Sequence, residues 1–141
     1  MLQFNREKIS KLLYEMRRAV SRLDSLSNVE KEEFLKDPDK VDSAKYNFII
    51  AIESAIDICN HIISQNGLRP PKDYSDTFRV LFENGFLEKE FFENLVNMVK
   101  FRNRLVHIYW EIDNEFLYSI LKNNVKDLKA LINKIIEILE L

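Results

Sequence analysis

The segment F-F-E-N-L-V-N-M-V-K-F-R-N-R-L-V-H-I-Y, Phe91 to Tyr109, decides how the chain is read. In its first half Phe92, Leu95, Val96 and Val99 fall on one side of a helix that turns about 100° per residue. The second half continues the same wheel into Arg102, Asn103, Val106, His107 and Trp110, with Tyr109 at the edge. The spacing predicts one continuous helix over about residues 88–111. Its apolar stripe runs straight into charge. An unpaired charge in a core is heavily penalised or neutralised, so the polar end is expected to face a cleft, a partner or a ligand.

Arg102 and His107 are five residues apart, about 140° around an ideal helix, and so are not ridge neighbours. Either the helix bends around a pocket or a second copy of the chain completes the site. Arg102 and Tyr109, seven apart, lie within about 20° of each other, which would set the phenol beside the guanidinium. Asn103 and His107, four apart, lie one above the other. The surface offers a permanent cation, an imidazole of ordinary pKa about 6.5, an amide and a phenol. Those parts can hold a phosphodiester and move a proton across it.

Outward from this segment, two glycines and three prolines in 141 residues leave few turns for an all-β fold. Apolar residues at 46% with 31% charged fit amphipathic helices. The expectation is one domain over residues 1–141, an all-α antiparallel bundle of about four long helices plus short ones. Asn5 should cap a first helix over about residues 5–26, with Phe4 as its staple and Ile9, Leu12, Leu13, Met16, Val20 and Leu23 inward. Ser27-x-x-Glu30 reads as a capping box for a short helix over about 29–36, closed by Asp37-Pro38-Asp39. A central helix over about 41–65, apolar across a broad arc, ends before Gly67, the usual site of a left-handed cap. Residues 68–76 read as a loop and 78–83 as a short helix. Asp113 should cap a last helix to about residue 140, with Phe116, Ile120, Val125 and Leu128 facing inward.

On the central helix Glu53, Asp57 and His61 follow at four-residue steps. They read as a surface stripe of helical pairs or as the lining of a site, and His61 by itself as a structural hydrogen bonder. The net charge of −2 excludes a global basic footprint for nucleic acid. Only local patches remain: Lys11, Arg17, Arg18 and Arg22, whose plainer reading is a solvated helix face, and Lys100, Arg102 and Arg104. Cys59 is the single cysteine, so no intramolecular disulfide forms; it is expected in the core of a cytoplasmic protein. With no signal peptide and no apolar run of about 18 residues, no membrane span is expected. The histidines, cysteine and acids show no ligand spacing, so no metal or other cofactor is expected.

F-R-N-R-L-V-H-I-Y resembles the Arg-x4-His-x-Tyr signature of the HepT-like toxins in the HEPN superfamily, with a polar residue directly after the arginine. A-I-E-S-A-I-D-I-C-N-H-I-I from Ala51, P-x-x-Y-x-D-x-F from Pro71, and Ile112-Asp113 match in order, so the resemblance covers nearly the whole chain. It implies the toxin of a type VII toxin–antitoxin system: a metal-independent endoribonuclease whose two motifs meet in a homodimer. Arg102 and His107 would be catalytic and Asn103 supporting. Tyr109 would accept AMP from an MNT-type nucleotidyltransferase antitoxin. Two other readings stand beside it. One is a non-catalytic helical partner of a small nucleotidyltransferase; the other is a helical dimer whose arginine and histidine form interface salt bridges.

Overall fold

Pro38 begins the longest helix of the molecule instead of merely closing the turn before it. Proline suits the first helical position because its missing N–H would go unused there, and Asp37 caps the turn by accepting from the backbone N–H of Asp39 at 3.0 Å. In the computed structural model, which describes residues 1–141, this helix is α3 (Pro38–Gln65). The others are α1 (Arg6–Ser27), α2 (Lys31–Lys36), α4 (Tyr74–Glu83), α5 (Lys89–His107) and α6 (Asn114–Leu139), with a 3₁₀ turn at Tyr109–Glu111. The architecture is the expected all-α antiparallel bundle.

α3 is the axle. It packs against each of the other five helices, which is why fifteen of its residues, from Val41 to Ile63, are buried. By length and composition alone it would also cross a membrane, with a mean hydropathy of 1.2 over an 18-residue window. That overturns the expectation that no such run exists, and its central position in the bundle accounts for the apolarity. Cys59 lies in α3 with none of its surface exposed, and burial pushes its thiol pKa up to about 12.

Local signals set most helix ends. The Asn5 side chain accepts from Lys8 N at 3.0 Å and the Asp113 side chain from Glu115 N at 3.2 Å. α3 closes on Gly67 at φ +63°, and the N–H of Leu68 returns to the carbonyl of Ile63 at 3.1 Å, a Schellman arrangement. α1 runs antiparallel to α3, because Asn66 accepts from Gln3 N at 2.8 Å and donates to its carbonyl at 2.9 Å. α6 runs antiparallel to α1, with the Tyr118 hydroxyl donating to the Val29 carbonyl at 2.6 Å and Lys129 paired with Asp24 at 2.6 Å.

Four further expectations need correcting. The capping box does not form: α1 extends through Ser27, whose hydroxyl donates to the Asp24 carbonyl at 2.6 Å, and Glu30 precedes α2 without a side-chain cap. The loop after α3 ends earlier than read, since Asp73 accepts from Asp76 N at 2.7 Å and starts α4 at Tyr74. On α6 it is Leu117 and Leu121 that are buried, whereas Phe116 is 37% exposed, with its ring against Phe101 and under the Arg104 guanidinium. The fourth correction bears on function. α5 stops at His107, and Ile108 turns out of the helix at φ −136° and ψ 43°.

Candidate functional site

α5 lies antiparallel to α3, so its last two turns meet the first half of that helix. Arg102 points into the contact. Its Nε and Nη2 donate to one oxygen of Glu53, at 3.2 and 2.5 Å, and its Nη1 donates to Asn103 Oδ1 at 3.0 Å. The guanidinium also lies over the ring of Tyr74 on α4, 5.0 Å from its centroid. Planar, delocalised charge suits such stacking and forked pairing better than an ammonium would. The side chain is only 13% exposed, against 39% for Glu53, so the carboxylate is the displaceable member. Asn103 is thus joined to Arg102, not to His107 as the four-residue spacing suggested.

His107 is the opposite case. It is exposed at the end of α5 and makes no side-chain hydrogen bond or ion pair. Its neighbours Val106 and Trp110 are apolar yet 42% and 76% exposed. The chain by itself therefore does not gather Arg102 and His107 around one set of partners. Arg104 and His107 lie in the last turn of α5, where a positive group opposes the partial negative charge of the helix end.

Tyr109 is not where a continuous helix would put it. Ile108, Tyr109 and Trp110 all have weak helix propensity. The carbonyl of Tyr109 is taken instead by Lys45 Nζ of α3 at 3.0 Å, with that ammonium 4.5 Å from the centre of the tyrosine ring. The hydroxyl donates to Asp42 Oδ1 at 3.2 Å. Asp42 and Glu53 are eleven residues apart on α3, about 16 Å along its axis. The phenol is consequently anchored well away from the carboxylate that holds Arg102, and the expected juxtaposition of Tyr109 and Arg102 does not occur. Burial raises the Tyr109 pKa, helped by the charge of Asp42 and the hydrogen bond to it.

The acidic stripe divides. Glu53 belongs to the site. Asp57, one turn on, has its pKa raised by burial and by Glu53, against the lowering influence of Lys8 and Arg102. His61 is structural, its Nε2 accepting the backbone N–H of Asn5 at 2.8 Å. Burial, then Lys8, lowers its pKa. The first-helix cations stay apart from Arg102. Lys11 pairs with Glu7 at 3.3 Å, while Arg18 and Arg22 line a cleft of about 180 Å³ with Ser43, Tyr46 and Asn47. No group of three His, Cys, Asp or Glu side chains is placed to hold a metal ion. Tyr74 went unnoticed in the sequence; its one signal was the Pro-x-x-Tyr-x-Asp-x-Phe match.

Residues 16–135 match the family described as ribonuclease HepT-like. A presumptive RNase of Archaeoglobus fulgidus is 35% identical over 118 residues, 84% of each chain. The mRNA nuclease HepT of Shewanella oneidensis is 28% identical over 85% of this chain and 90% of its own. Among solved structures, a tri-AMPylated HEPN toxin of Shewanella oneidensis, in complex with an MNT antitoxin, superposes with a TM-score of 0.84 at 27% identity. That alignment covers 93% of this chain and 98% of the toxin.

Proposed function

The chain belongs to the ribonuclease HepT-like family, and from that premise we propose that it is the toxin of a type VII toxin–antitoxin pair, cutting RNA as a homodimer without a metal. The observation that supports this reading is the contrast along α5. Arg102 is seated by Glu53, Asn103 and Tyr74, whereas His107 stands exposed beside uncovered Val106 and Trp110. A second copy laid on that apolar surface would bring its own arginine and histidine to the first.

The chemistry follows from the groups. A ribose 2′-oxygen attacks the adjacent phosphorus, the phosphoryl oxygens gain charge, and the 5′-oxygen leaves. Arg102 neutralises that charge, after the substrate phosphate displaces the exposed Glu53 carboxylate from the guanidinium. His107 takes the proton of the 2′-hydroxyl or supplies one to the leaving oxygen, and each half of the dimer pairs the arginine of one copy with the histidine of the other. Asn103 holds Arg102 in orientation. Tyr109 is the residue to which a nucleotidyltransferase antitoxin transfers AMP, switching the nuclease off. A purely structural partner of the same antitoxin would share the Arg102–Glu53 pair but would leave RNA intact.

Mixing two inactive variants tests the composite site. Arg102→Ala and His107→Ala homodimers should each lose cleavage of RNA in chelator, the arginine variant by roughly a hundredfold, or ~3 kcal/mol. Co-refolded, they should recover activity, because one half of the mixed dimer keeps an intact arginine facing an intact histidine. No recovery in a mixture shown by mass to contain heterodimer would overturn the shared site. Wild-type protein without cleavage would favour the non-catalytic partner.

A further inference from the structure

Lys45 is only 6% exposed, yet it forms no ion pair. Its hydrogen bond goes to the Tyr109 carbonyl at 3.0 Å, and the face of the Tyr109 ring lies 4.5 Å from its Nζ. Withdrawing an ammonium from water without a counter-ion is costly. A carbonyl and a π-face offset that cost only in part, so the position favours an arriving anion. Three residues earlier on α3, exposed Asp42 accepts the Tyr109 hydroxyl at 3.2 Å. These two side chains are the charged groups that face the phenol from the helix packed against it.

We infer that Asp42, Lys45 and Tyr109 form an adenylyl-acceptor site in which the toxin supplies its own base, Asp42, and its own phosphate-binding cation, Lys45. The inference rests on the reading above that Tyr109 is the modified residue. A neutral phenol is a poor nucleophile, and both burial and Asp42 hold it protonated, so the proton must pass to a base already in contact. Tyr109 Oη bonds to the α-phosphorus of ATP delivered by the nucleotidyltransferase. The α–β anhydride bond breaks, and pyrophosphate leaves with the bonding pair. The phenolic proton goes to Asp42 Oδ1 and then to water. The new phosphodiester carries about one negative charge, which Lys45 matches by swinging from the ring face toward the hydroxyl end.

The experiment follows AMP transfer by intact mass across a range of pH, using the full chain, its cognate nucleotidyltransferase and ATP. Wild type should transfer at a rate nearly independent of pH from neutral upward. Asp42→Asn should be slower by about a hundredfold or more near neutral pH and recover about tenfold per pH unit as the phenol ionises by itself. Asp42→Glu should regain much of the rate, and Lys45→Met should be slower by about tenfold with the wild-type profile. All three should bind the nucleotidyltransferase and melt like wild type, which removes misfolding as a cause. An Asp42→Asn variant modified at the wild-type rate, or slowed equally at every pH, overturns the role of Asp42. Absence of adduct on Tyr109 in wild type overturns instead the reading beneath it.

Discussion

The chain has two histidines, and they sit in opposite situations. His61 is 9% exposed in α3, and its Nε2 accepts the backbone N–H that opens α1. His107 is exposed at the C-terminal end of α5, without a side-chain partner and beside an uncovered tryptophan. The first is committed to one neutral tautomer by its hydrogen bond; the second keeps its ring open to whatever covers that surface. A histidine useful for proton transfer must keep at least one ring nitrogen open to substrate, and here that opening comes with an uncovered apolar surface. The contrast predicts that the two residues divide stability and activity cleanly between them.

The largest effect should come from His107→Ala, which removes the proton-transfer group and lowers RNA cleavage by about 10²–10⁴-fold while leaving the melting temperature unchanged. If that variant melts markedly lower, His107 is not free and the contrast fails. Glu53→Gln should act less strongly. It takes the charged partner from Arg102, so the guanidinium loses its fixed place and kcat falls by about tenfold. KM falls too, because the carboxylate no longer competes with substrate phosphate. A rise in KM would mean that Glu53 touches RNA itself.

The smallest effect belongs to His61→Leu. Its loss of an acceptor should destabilise the fold by about 1–2 kcal/mol without altering cleavage. Its pH signature has a definite sign. The folded pKa is depressed by burial, so the unfolded chain binds the proton more readily. The stability His61 contributes is complete above its unfolded pKa of about 6.5 and is lost as pH falls from there through the folded value. Thermal melts at a series of pH values should show that acid-side slope in wild type and a shallower one in His61→Leu. Equal slopes would mean that folding does not shift the imidazole's pKa.

What could be read from the residues depended on how far away the partner lay. Asn5, Gly67 and Asp113 cap helices through contacts within a few residues, and the sequence pattern placed them correctly. The end of α5 was not legible, because the group that takes the Tyr109 carbonyl is Lys45, 64 residues back. The same limit hid the seat of Arg102. Its charge promised a partner, but Glu53 is 49 residues away, and Tyr74 lay in a segment read as loop. Ser27 misled in the other direction: its spacing to Glu30 fits a capping box, yet α1 absorbed it and turned its hydroxyl back on Asp24. Arg102 and His107 stood out through residue type and position, as the polar continuation of an apolar helical stripe and as the ends of the Arg-x4-His spacing.

Cys59 gives the molecule an internal clock. Its thiol is the only one in the chain, fully enclosed in the last third of α3, and with a pKa of about 12 it forms almost no thiolate while folded. An alkylating reagent can therefore react only with a chain that has opened, and the labelling rate counts openings under native conditions, without denaturant. The same readout can time how firmly AMP, RNA or a second copy holds the bundle shut, each as a slowing of one chemical event.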